Sequence, residues 1–392
     1  MSDQTHTTGS GKSALTPFNL VAGLIVVIGL VLTYLRFFKG LGTVTNLDNN
    51  NPWGIWISFD LLCGVALAAG GYTTSAACYI FGLKRFHSAV RPAILTAFLG
   101  YALVVFALHY DVGRPWRLPY PIFVSQGTTS LLFEVGLCVF LYLTVLFLEW
   151  LPVFFEWQKL SKLRNVFIGV TMVLTIFGVI LSTLHQSSLG ALFLIVPSKV
   201  HPLWYSPYLA LFFFISSMFA GLSMVLFEGT LAHKNFHDKM DATHLAEADG
   251  VVLGFAKAAS LIMAGYFAMK VMGVALENKW SYIFTGYGVL WLVEMLGFVM
   301  LPCLCYAIGA REKNKKLIRI TALWTVLGIV FNRFNVSLVA FNWQLPASER
   351  YFPSLGEIGI SVFVVTVGIL VYRFIVTRMP VFYEHPDYKD AH

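Results

Sequence analysis

Charged residues are scarce in this sequence. Only 12% of the 392 residues are Asp, Glu, Lys or Arg, roughly half the share found in soluble globular proteins. Phenylalanine and tryptophan are abundant instead, with 34 and 10 copies, and the mean hydropathy is +0.72. Too little polar surface remains to keep a chain of this length in water. The composition excludes an ordinary soluble protein and predicts an integral membrane protein.

Cysteine motifs for metal or redox chemistry are also missing. Cys63, Cys78, Cys138, Cys303 and Cys305 all fall within apolar segments, and no two of them have the Cys-x-x-Cys spacing. We therefore expect buried thiols and no iron–sulfur cluster in this chain. The net charge of +7 is spread over short loops rather than gathered in a patch, so it does not indicate nucleic-acid binding.

Long apolar segments are what the sequence does contain. A membrane-spanning helix needs about 20 apolar residues. Ten segments qualify, and they are 18–36, 57–81, 91–109, 129–150, 165–183, 207–229, 251–276, 283–305, 317–338 and 356–377. The sequence predicts an all-α, polytopic bundle of about ten spans. We expect one transmembrane domain over 18–377, between an N-terminal tail at 1–17 and a C-terminal tail at 378–392.

The distribution of Lys and Arg predicts the orientation of these spans. Loops rich in Lys and Arg stay on the cytoplasmic side, and most of the 27 basic residues fall on the side that holds both termini. Arg36 and Lys39 run against this bias. We expect both termini to be cytoplasmic. The loops on the opposite side are rich in Trp, Tyr, Pro and His, which favours a docking surface there.

Polar residues inside the predicted spans carry the functional hypothesis. Ionisable groups are costly in hydrocarbon and normally face the bundle interior. One set lies near the outer ends of the spans and comprises Asp60, His109, Asp111, Arg114, Glu134, His185 and Arg333. Quinone reduction requires hydrogen bonds to two carbonyl oxygens and delivery of two protons, which such groups can supply. The alternative is that these residues form ion pairs that tie helices together.

A second set of ionisable residues lies deeper in the predicted spans. Glu294 is placed near mid-depth of the eighth span, with Lys257 and Lys270 in the seventh. They are candidates for a proton path from the cytoplasm to the quinone. The alternative is a Lys–Glu bridge between adjacent helices. No span carries two His, so the sequence does not favour a membrane haem with two facing His ligands.

Several segments resemble one membrane-protein family. They are PWGIWISFD at 52–60, DVGR at 111–114, FE at 133–134, LHQSSLG at 184–190, HPLW at 201–204 and RFNVS at 333–337. This set is similar to the integral membrane subunit, often termed cytochrome b, of type-2 periplasmic nickel–iron hydrogenases. That subunit falls within the wider NrfD and polysulfide-reductase family of membrane anchors.

The resemblance implies a function that composition alone does not. Family members carry no haem or iron–sulfur cluster and bind menaquinone or ubiquinone near the outer face. A periplasmic ferredoxin-like subunit docks there and exchanges electrons with a catalytic partner, here the large and small hydrogenase subunits. The resemblance assigns quinone-linked roles to Asp60, His109, Asp111 and Glu134. We expect Glu134 and Asp60 to transfer protons, His109 and His185 to donate hydrogen bonds, and Arg114 to pair with Asp111.

Other functions remain open at this stage. The chain could anchor another quinone-linked oxidoreductase, with a molybdopterin or multihaem partner, or it could be a structural anchor without a quinone site. A secondary transporter would use buried charges in a similar way, but transporters usually show inverted repeats and broken helices. A haem-bearing cytochrome is the remaining alternative. In none of these readings does the chain itself act on the partner's primary substrate.

Overall fold

Ten membrane-spanning helices make up the part of the chain that the structure describes. The structure, a computed structural model, describes residues 16–383. The spans, numbered 1 to 10 in chain order, are Pro17–Lys39, Trp56–Ile80, Lys84–Asp111, Leu131–Trp157, Ser161–Ala191, Leu209–Asn235, Ala242–Leu276, Gly286–Arg311, Lys315–Val339 and Leu355–Arg378. These bounds confirm the predicted all-α bundle of ten spans. Most of the predicted tails at 1–17 and 378–392 lies outside the described residues.

The two ends of the bundle differ in the length of their connections. Residues 40–55, 112–130, 192–208, 277–285 and 340–354 join spans at one end, which we call the long-loop face. Residues 81–83, 158–160, 236–241 and 312–314 join them at the other end, the short-loop face. Because the number of spans is even, Thr16 and Tyr383 both lie on the short-loop face.

The spans are arranged as two four-helix bundles that share a central contact. Spans 2, 3, 4 and 5 pack against one another in one bundle, and spans 6, 7, 8 and 9 in the other. Spans 1 and 10 pair with each other and pack on the flank through span 3. In the most apolar stretch of each helix, 78% of the residues of span 2 and 67% of those of span 6 are buried, against 11% for span 1. The core of the protein therefore lies where spans 2 and 6 meet.

Glycines allow spans 2 and 6 to approach closely. A Cβ atom added at Gly221 would lie 2.3 Å from the backbone nitrogen of Gly70, and one added at Gly70 would lie 2.8 Å from the carbonyl oxygen of Gly221. Small residues at such contacts let membrane helices pack backbone to backbone. The contact between Gly70 of span 2 and Gly221 of span 6 therefore holds the two bundles together.

Several spans depart from regular α-helix in a way that the sequence did not predict. Span 2 begins with a π-helical segment at Trp56–Cys63 and is interrupted at Ala68 and Ala69. Further π-helical segments occur at Leu35–Lys39, Ala76–Ile80, Val293–Met300 and Asn335–Val339. Wide turns of this kind redirect side chains and occur often at functional sites. Two of the segments carry Asp60 and Glu294.

A buried ion cluster joins three spans at the short-loop face. Glu156 in span 4 accepts hydrogen bonds from Arg91 in span 3 at 3.1 Å and from Arg164 in span 5 at 3.2 Å. Arg91 also donates to the backbone oxygens of Pro380 and Tyr383. Because the two arginines reach the Glu156 carboxylate from different helices, this cluster ties spans 3, 4 and 5 together.

The glycine contact predicts a stability difference between two Gly→Ala variants in the same helix. Gly221→Ala should lower the free energy of unfolding by about 1–3 kcal/mol, because the new methyl group overlaps the backbone of span 2. Gly229→Ala is the matched control, since nothing lies within 4 Å of its added Cβ. Unfolding in detergent measures both. Equal stability of the two variants would contradict the close approach.

Candidate functional site

Glu294 is the centre of a hydrogen-bond network near the long-loop face. Its Oε1 accepts a hydrogen bond from Nδ2 of Asn332 at 2.7 Å, and its Oε2 accepts from Nδ2 of Asn335 at 2.6 Å and from the indole of Trp204 at 2.9 Å. Glu294 is 1% exposed. The mid-depth placement expected from sequence is wrong, because Trp204 reaches this carboxylate from the long-loop connection 192–208.

Arg333 extends this network toward span 6. Its guanidinium donates to Oδ1 of Asn332 at 2.7 Å and to Oγ of Ser216 at 2.8 Å, and it lies 3.9 Å from the ring centre of Phe213. The charge of Arg333 is balanced in part by that of Glu294. The predicted outer-layer residue Arg333 and the predicted deeper residue Glu294 therefore belong to one cluster.

The predicted proton path through Glu294, Lys257 and Lys270 is not assembled in this structure. Lys270 is buried, lies 4.6 Å from the ring centre of Phe212 and is within electrostatic range of Glu294. Lys257 is exposed on the outside of the bundle, where a long side chain can reach toward the membrane surface. The bridge alternative is thus closer to the observed geometry for Lys270, while Lys257 stands apart.

Asp60 forms a separate buried group between spans 2 and 10. Its Oδ2 accepts a hydrogen bond from Oγ of Ser361 at 2.7 Å. Asp111, at the end of span 3, lies within electrostatic range of Asp60 and Arg36. One oxygen of Asp111 is buried without a protein hydrogen-bond partner. Two predicted site residues, Asp60 and Asp111, are therefore brought together.

Arg36, not Arg114, is the cation beside Asp111. Arg36 is 3% exposed and donates to the backbone oxygens of Tyr110 at 2.6 Å and Val112 at 2.8 Å. Arg114 is exposed, because the chain leaves span 3 in an extended conformation at Val112. The expected pairing of Arg114 with Asp111 is wrong. Burial of Arg36 also explains why it departs from the charge bias of the loops.

Glu134 of span 4 bonds span 5 one turn away from His185. Oε1 of Glu134 accepts a hydrogen bond from Oγ of Ser188 at 2.6 Å. His185, one turn before Ser188, is fully buried, and both of its ring nitrogens lack a protein partner. Its ring centre lies 5.7 Å from that of Tyr101. Glu134 and His185 are therefore linked through Ser188 of span 5.

Two other histidines have defined places near the long-loop face. Nδ1 of His109 is 2.7 Å from the carbonyl oxygen of Val105 in its own helix, so its other ring nitrogen points away from that bond. His201 stacks on Tyr287 at 4.5 Å between ring centres, and its backbone N–H donates to the oxygen of Ala340. Burial, with a smaller contribution from Lys279, lowers the pKa of His201 to about 4.

Some tryptophans of the long-loop face lie at the surface, and others are buried in the bundle. Trp116 is 70% exposed, and Trp53 stacks on Phe341. Trp204 is fully buried and bonds Glu294. Trp204 is therefore part of the buried network and not of the loop surface. The connection 192–208 pairs with the segment after span 9 through Val200 and Phe341, which carries Trp204 into the bundle.

Several buried polar residues were missed by the sequence reasoning. They are Arg36, Glu149, Glu156, Ser361 and Glu357, and one oxygen of the half-buried Glu228 joins them. Glu357 closes a capping box with Ser354 and accepts a hydrogen bond from Tyr351, which together with burial raises the pKa of Tyr351. Glu149 and Glu156 were visible as carboxylates spaced seven residues apart in one apolar segment. That spacing puts both on one face of the helix.

With this geometry in view, comparison with known proteins identifies the family. Residues 43–342 match the polysulphide reductase NrfD family. The chain belongs to this family. The matched region contains Asp60, Glu134, His185, Glu294 and Arg333, so the main polar groups described above all lie in the family domain. The chain is a multi-pass membrane protein of the NrfD type.

Individual relatives cover nearly the whole chain. A protein of Nitratidesulfovibrio vulgaris is 70% identical over 98% of this chain and 99% of its own length. The probable Ni/Fe-hydrogenase 2 b-type cytochrome subunit of Escherichia coli is 32% identical over 92% and 91%. The menaquinone reductase integral membrane subunit of N. vulgaris is 25% identical over 95% and 94%. This NrfD-family chain is thus a membrane anchor related to subunits of two redox complexes.

Removal of the central carboxylate should destabilise the protein strongly. Glu294→Ala leaves the guanidinium of Arg333 buried and three N–H donors without their acceptor, and we expect a loss of about 3–5 kcal/mol in the free energy of unfolding. Glu277→Ala removes a partly exposed carboxylate paired with Lys279 at 2.7 Å, which should cost at most about 1 kcal/mol. Unfolding in detergent compares the two, and similar losses would refute the central role of Glu294.

The environment of His201 predicts a dependence of stability on pH. The unfolded chain binds a proton at His201 near the usual pKa of about 6.5, whereas the folded protein binds it only near pH 4. Stability should therefore decrease as the pH falls from about 6.5 to 4, where the unfolded state holds more protons. His201→Gln should make this decrease shallower, and the exposed-site variant His237→Gln should not. Melting temperatures across this pH range test the prediction.

Proposed function

We propose that this NrfD-family chain passes electrons between an iron–sulfur subunit docked on the long-loop face and a membrane quinone bound near that face. The long-loop face would be periplasmic, with both termini in the cytoplasm of a bacterial inner membrane. The catalytic partner would be a nickel–iron hydrogenase. Relatedness to a b-type cytochrome subunit of hydrogenase 2 and to a menaquinone reductase subunit supports this function.

The observation that carries the proposal is the position of Asp60. It is a buried carboxyl group about one turn inside the long-loop end of span 2, on a π-helical segment, and it bonds a neutral hydroxyl. Asp111, which has an unpartnered buried oxygen, lies nearby. A structural ion pair would instead place a cation against Asp60. This chemistry fits a quinone head group, which needs a proton donor close to each carbonyl oxygen.

The predicted residues divide into roles according to their surroundings. A quinone accepts two electrons from the partner and two protons from the protein. Asp60 and Glu134 hold and deliver these protons, and His109 and His185 donate hydrogen bonds. Arg333 is fixed by Asn332 and Ser216, so it sets the local positive potential.

The long-loop face has the rigidity that a docking surface requires. Asn51 donates to the backbone oxygen of Glu349 at 3.0 Å, and Asn342 donates to that of Asn50 at 2.9 Å. Arg350 donates to the oxygen of Trp343 and the hydroxyl of Tyr287. These bonds join the connections 40–55 and 340–354 to each other and to the start of span 8. Preorganised loops lower the entropy cost of binding a partner.

The identity of the partner is a separate question with a direct test. Purification of the tagged chain in mild detergent, followed by mass spectrometry, should recover a ferredoxin-like iron–sulfur protein and the two hydrogenase subunits. Recovery of a molybdopterin or multihaem enzyme would retain the anchor function and replace the hydrogenase. An optical spectrum of the same preparation tests the prediction that the chain holds no haem.

Substitution of Asp60 tests the quinone site. Asp60→Asn can keep the hydrogen bond from Ser361 but cannot release a proton, so quinone reduction by the purified complex should slow by about 10²-fold or more. Reduction of an artificial dye by the partner should be unchanged. Asp249→Asn is the control, because Asp249 is exposed on the short-loop face and pairs with Lys315 at 2.5 Å. If Asp60→Asn and Glu134→Gln both leave quinone reduction intact, the chain is a structural anchor.

A further inference from the structure

Polar side chains follow the contact between spans 4 and 5 from one face of the membrane to the other. We call this contact the 4–5 seam. Its four levels are Glu134 with Ser188, Tyr142 with Ser182, Glu149 with Thr175, and Glu156 with Arg164. Glu134 and Glu156 are separated by about 33 Å along span 4 at 1.5 Å per residue. The seam is therefore as long as the hydrocarbon core is thick, which is about 30 Å.

The middle of the seam contains buried polar atoms without partners. The hydroxyls of Tyr101 and Tyr142 lie next to that of Ser182, yet none of the three satisfies hydrogen-bond geometry with a protein group. Both ring nitrogens of His185 also lack a protein hydrogen-bond partner. Tyr101, Tyr142, Ser182 and His185 are all fully buried. Buried polar groups normally bond protein or ordered water.

Tyrosine packing places these hydroxyls close together. The rings of Tyr101 and Tyr142 meet edge to face with centres 4.7 Å apart, and Tyr101 also packs on His185. His185 is one turn from Ser188, which donates to Glu134. The middle level is thus connected to the long-loop end through His185 and Ser188.

Glu149 continues the seam toward the short-loop face. It is 8% exposed and accepts a hydrogen bond from Oγ1 of Thr175 at 2.9 Å. Tyr142 lies two turns away on the same helix face and is within electrostatic range of this carboxyl group. Two turns further on, Glu156 meets Arg91 and Arg164. Glu149 therefore lies between the tyrosine level and the ion cluster.

Helix packing does not account for this composition. Membrane helices that only need to pack use small or apolar residues at their contact, and an unsatisfied polar group in hydrocarbon costs several kcal/mol. The cluster around Glu294 shows the stabilising arrangement, since its carboxylate has three donors. Apart from the Glu156 ion cluster at its short-loop end, the 4–5 seam instead has carboxyl groups beside neutral hydroxyls, at Glu134 and Glu149, and polar atoms without protein partners. Groups of this kind can bind and release protons in turn.

We propose that the 4–5 seam conducts protons across the membrane between the short-loop face and Glu134, through Glu149 and the Tyr142–Ser182–Tyr101–His185 group. At each carboxyl group one oxygen accepts a proton and the other releases one, and no electrons move along the seam. If the proposed quinone function also holds, protons consumed at the long-loop face are drawn from the opposite side. Quinone reduction then moves charge across the membrane.

The test uses the complete complex reconstituted into vesicles that contain a pH-sensitive dye. A membrane-impermeant electron donor added outside drives only complexes whose long-loop face is outside, and a naphthoquinone analogue serves as acceptor. The vesicle interior should become alkaline during turnover. Glu149→Gln should reduce this proton uptake at least tenfold, and Tyr142→Phe should reduce it several-fold.

Matched controls separate loss of the seam from loss of the fold. Glu228→Gln makes the same change at a carboxyl group of span 6, which accepts a hydrogen bond from Thr96 of span 3. This carboxyl group lies outside the 4–5 seam, so the variant should leave proton uptake unchanged. Each variant must retain the partner subunits and melt at the wild-type temperature. Thr175→Val is a second seam variant, which removes the hydroxyl beside Glu149 with little change in shape.

The outcomes distinguish the two proposals. Quinone reduction with protons drawn only from the outside, or uptake unaffected by both Glu149→Gln and Thr175→Val, would overturn the seam and leave the quinone function standing. Absence of quinone reduction in the wild type would overturn the quinone function. Proton flux driven by a potassium diffusion potential with valinomycin then tests the seam by itself. A flux sensitive to Glu149→Gln supports it, and no flux above that of empty vesicles refutes it.

Discussion

The membrane interior offers no water to polar groups, so each buried charge in this protein depends on partners from other helices. Glu156 can lie in the bundle because Arg91 and Arg164 reach it from spans 3 and 5. Glu294 can lie there because Asn332, Asn335 and Trp204 converge on it. Each carboxylate thus specifies which helices are neighbours and at what depth, while the apolar residues that surround it do not discriminate between partners.

Close backbone packing complements these polar contacts. The close contact between Gly70 and Gly221 brings spans 2 and 6 together. The two four-helix bundles lie on either side of this contact. Because spans 2 and 6 are central, polar residues on them face protein rather than lipid. The π-helical segments at Trp56–Cys63 and Val293–Met300 then direct Asp60 and Glu294 inward.

The two faces of the protein differ in a way that suits a quinone-linked anchor. Long connections on one face are joined by side-chain bonds and contribute Trp204 to the buried network. The other face is closed by short turns and the Glu156 cluster. Asp60 and Glu134 both lie near the long-loop face, and the 4–5 seam would connect Glu134 to the short-loop face. Under the two proposals, electron transfer and proton transfer would then meet at one end of the molecule.

The sequence by itself determined the fold class, the number of spans and the family. These properties depend on local features of the sequence, since about 20 apolar residues make a span wherever they occur. Short motifs such as PWGIWISFD and RFNVS can likewise be recognised without knowledge of how the helices pack. Asp60, Glu134 and Arg333 could be picked out for the same reason, as ionisable residues in apolar segments.

Only the tertiary structure decided which polar residues meet. Arg36 lies beside Asp111 where Arg114 was expected, Trp204 bonds Glu294 although it lies in a loop, and Lys257 points outward. The side that a helix turns toward its neighbours, and the course of a loop over the bundle, depend on contacts between residues far apart in the chain. In a membrane protein that side is poorly marked by hydrophobicity, because lipid-facing and buried surfaces are both apolar.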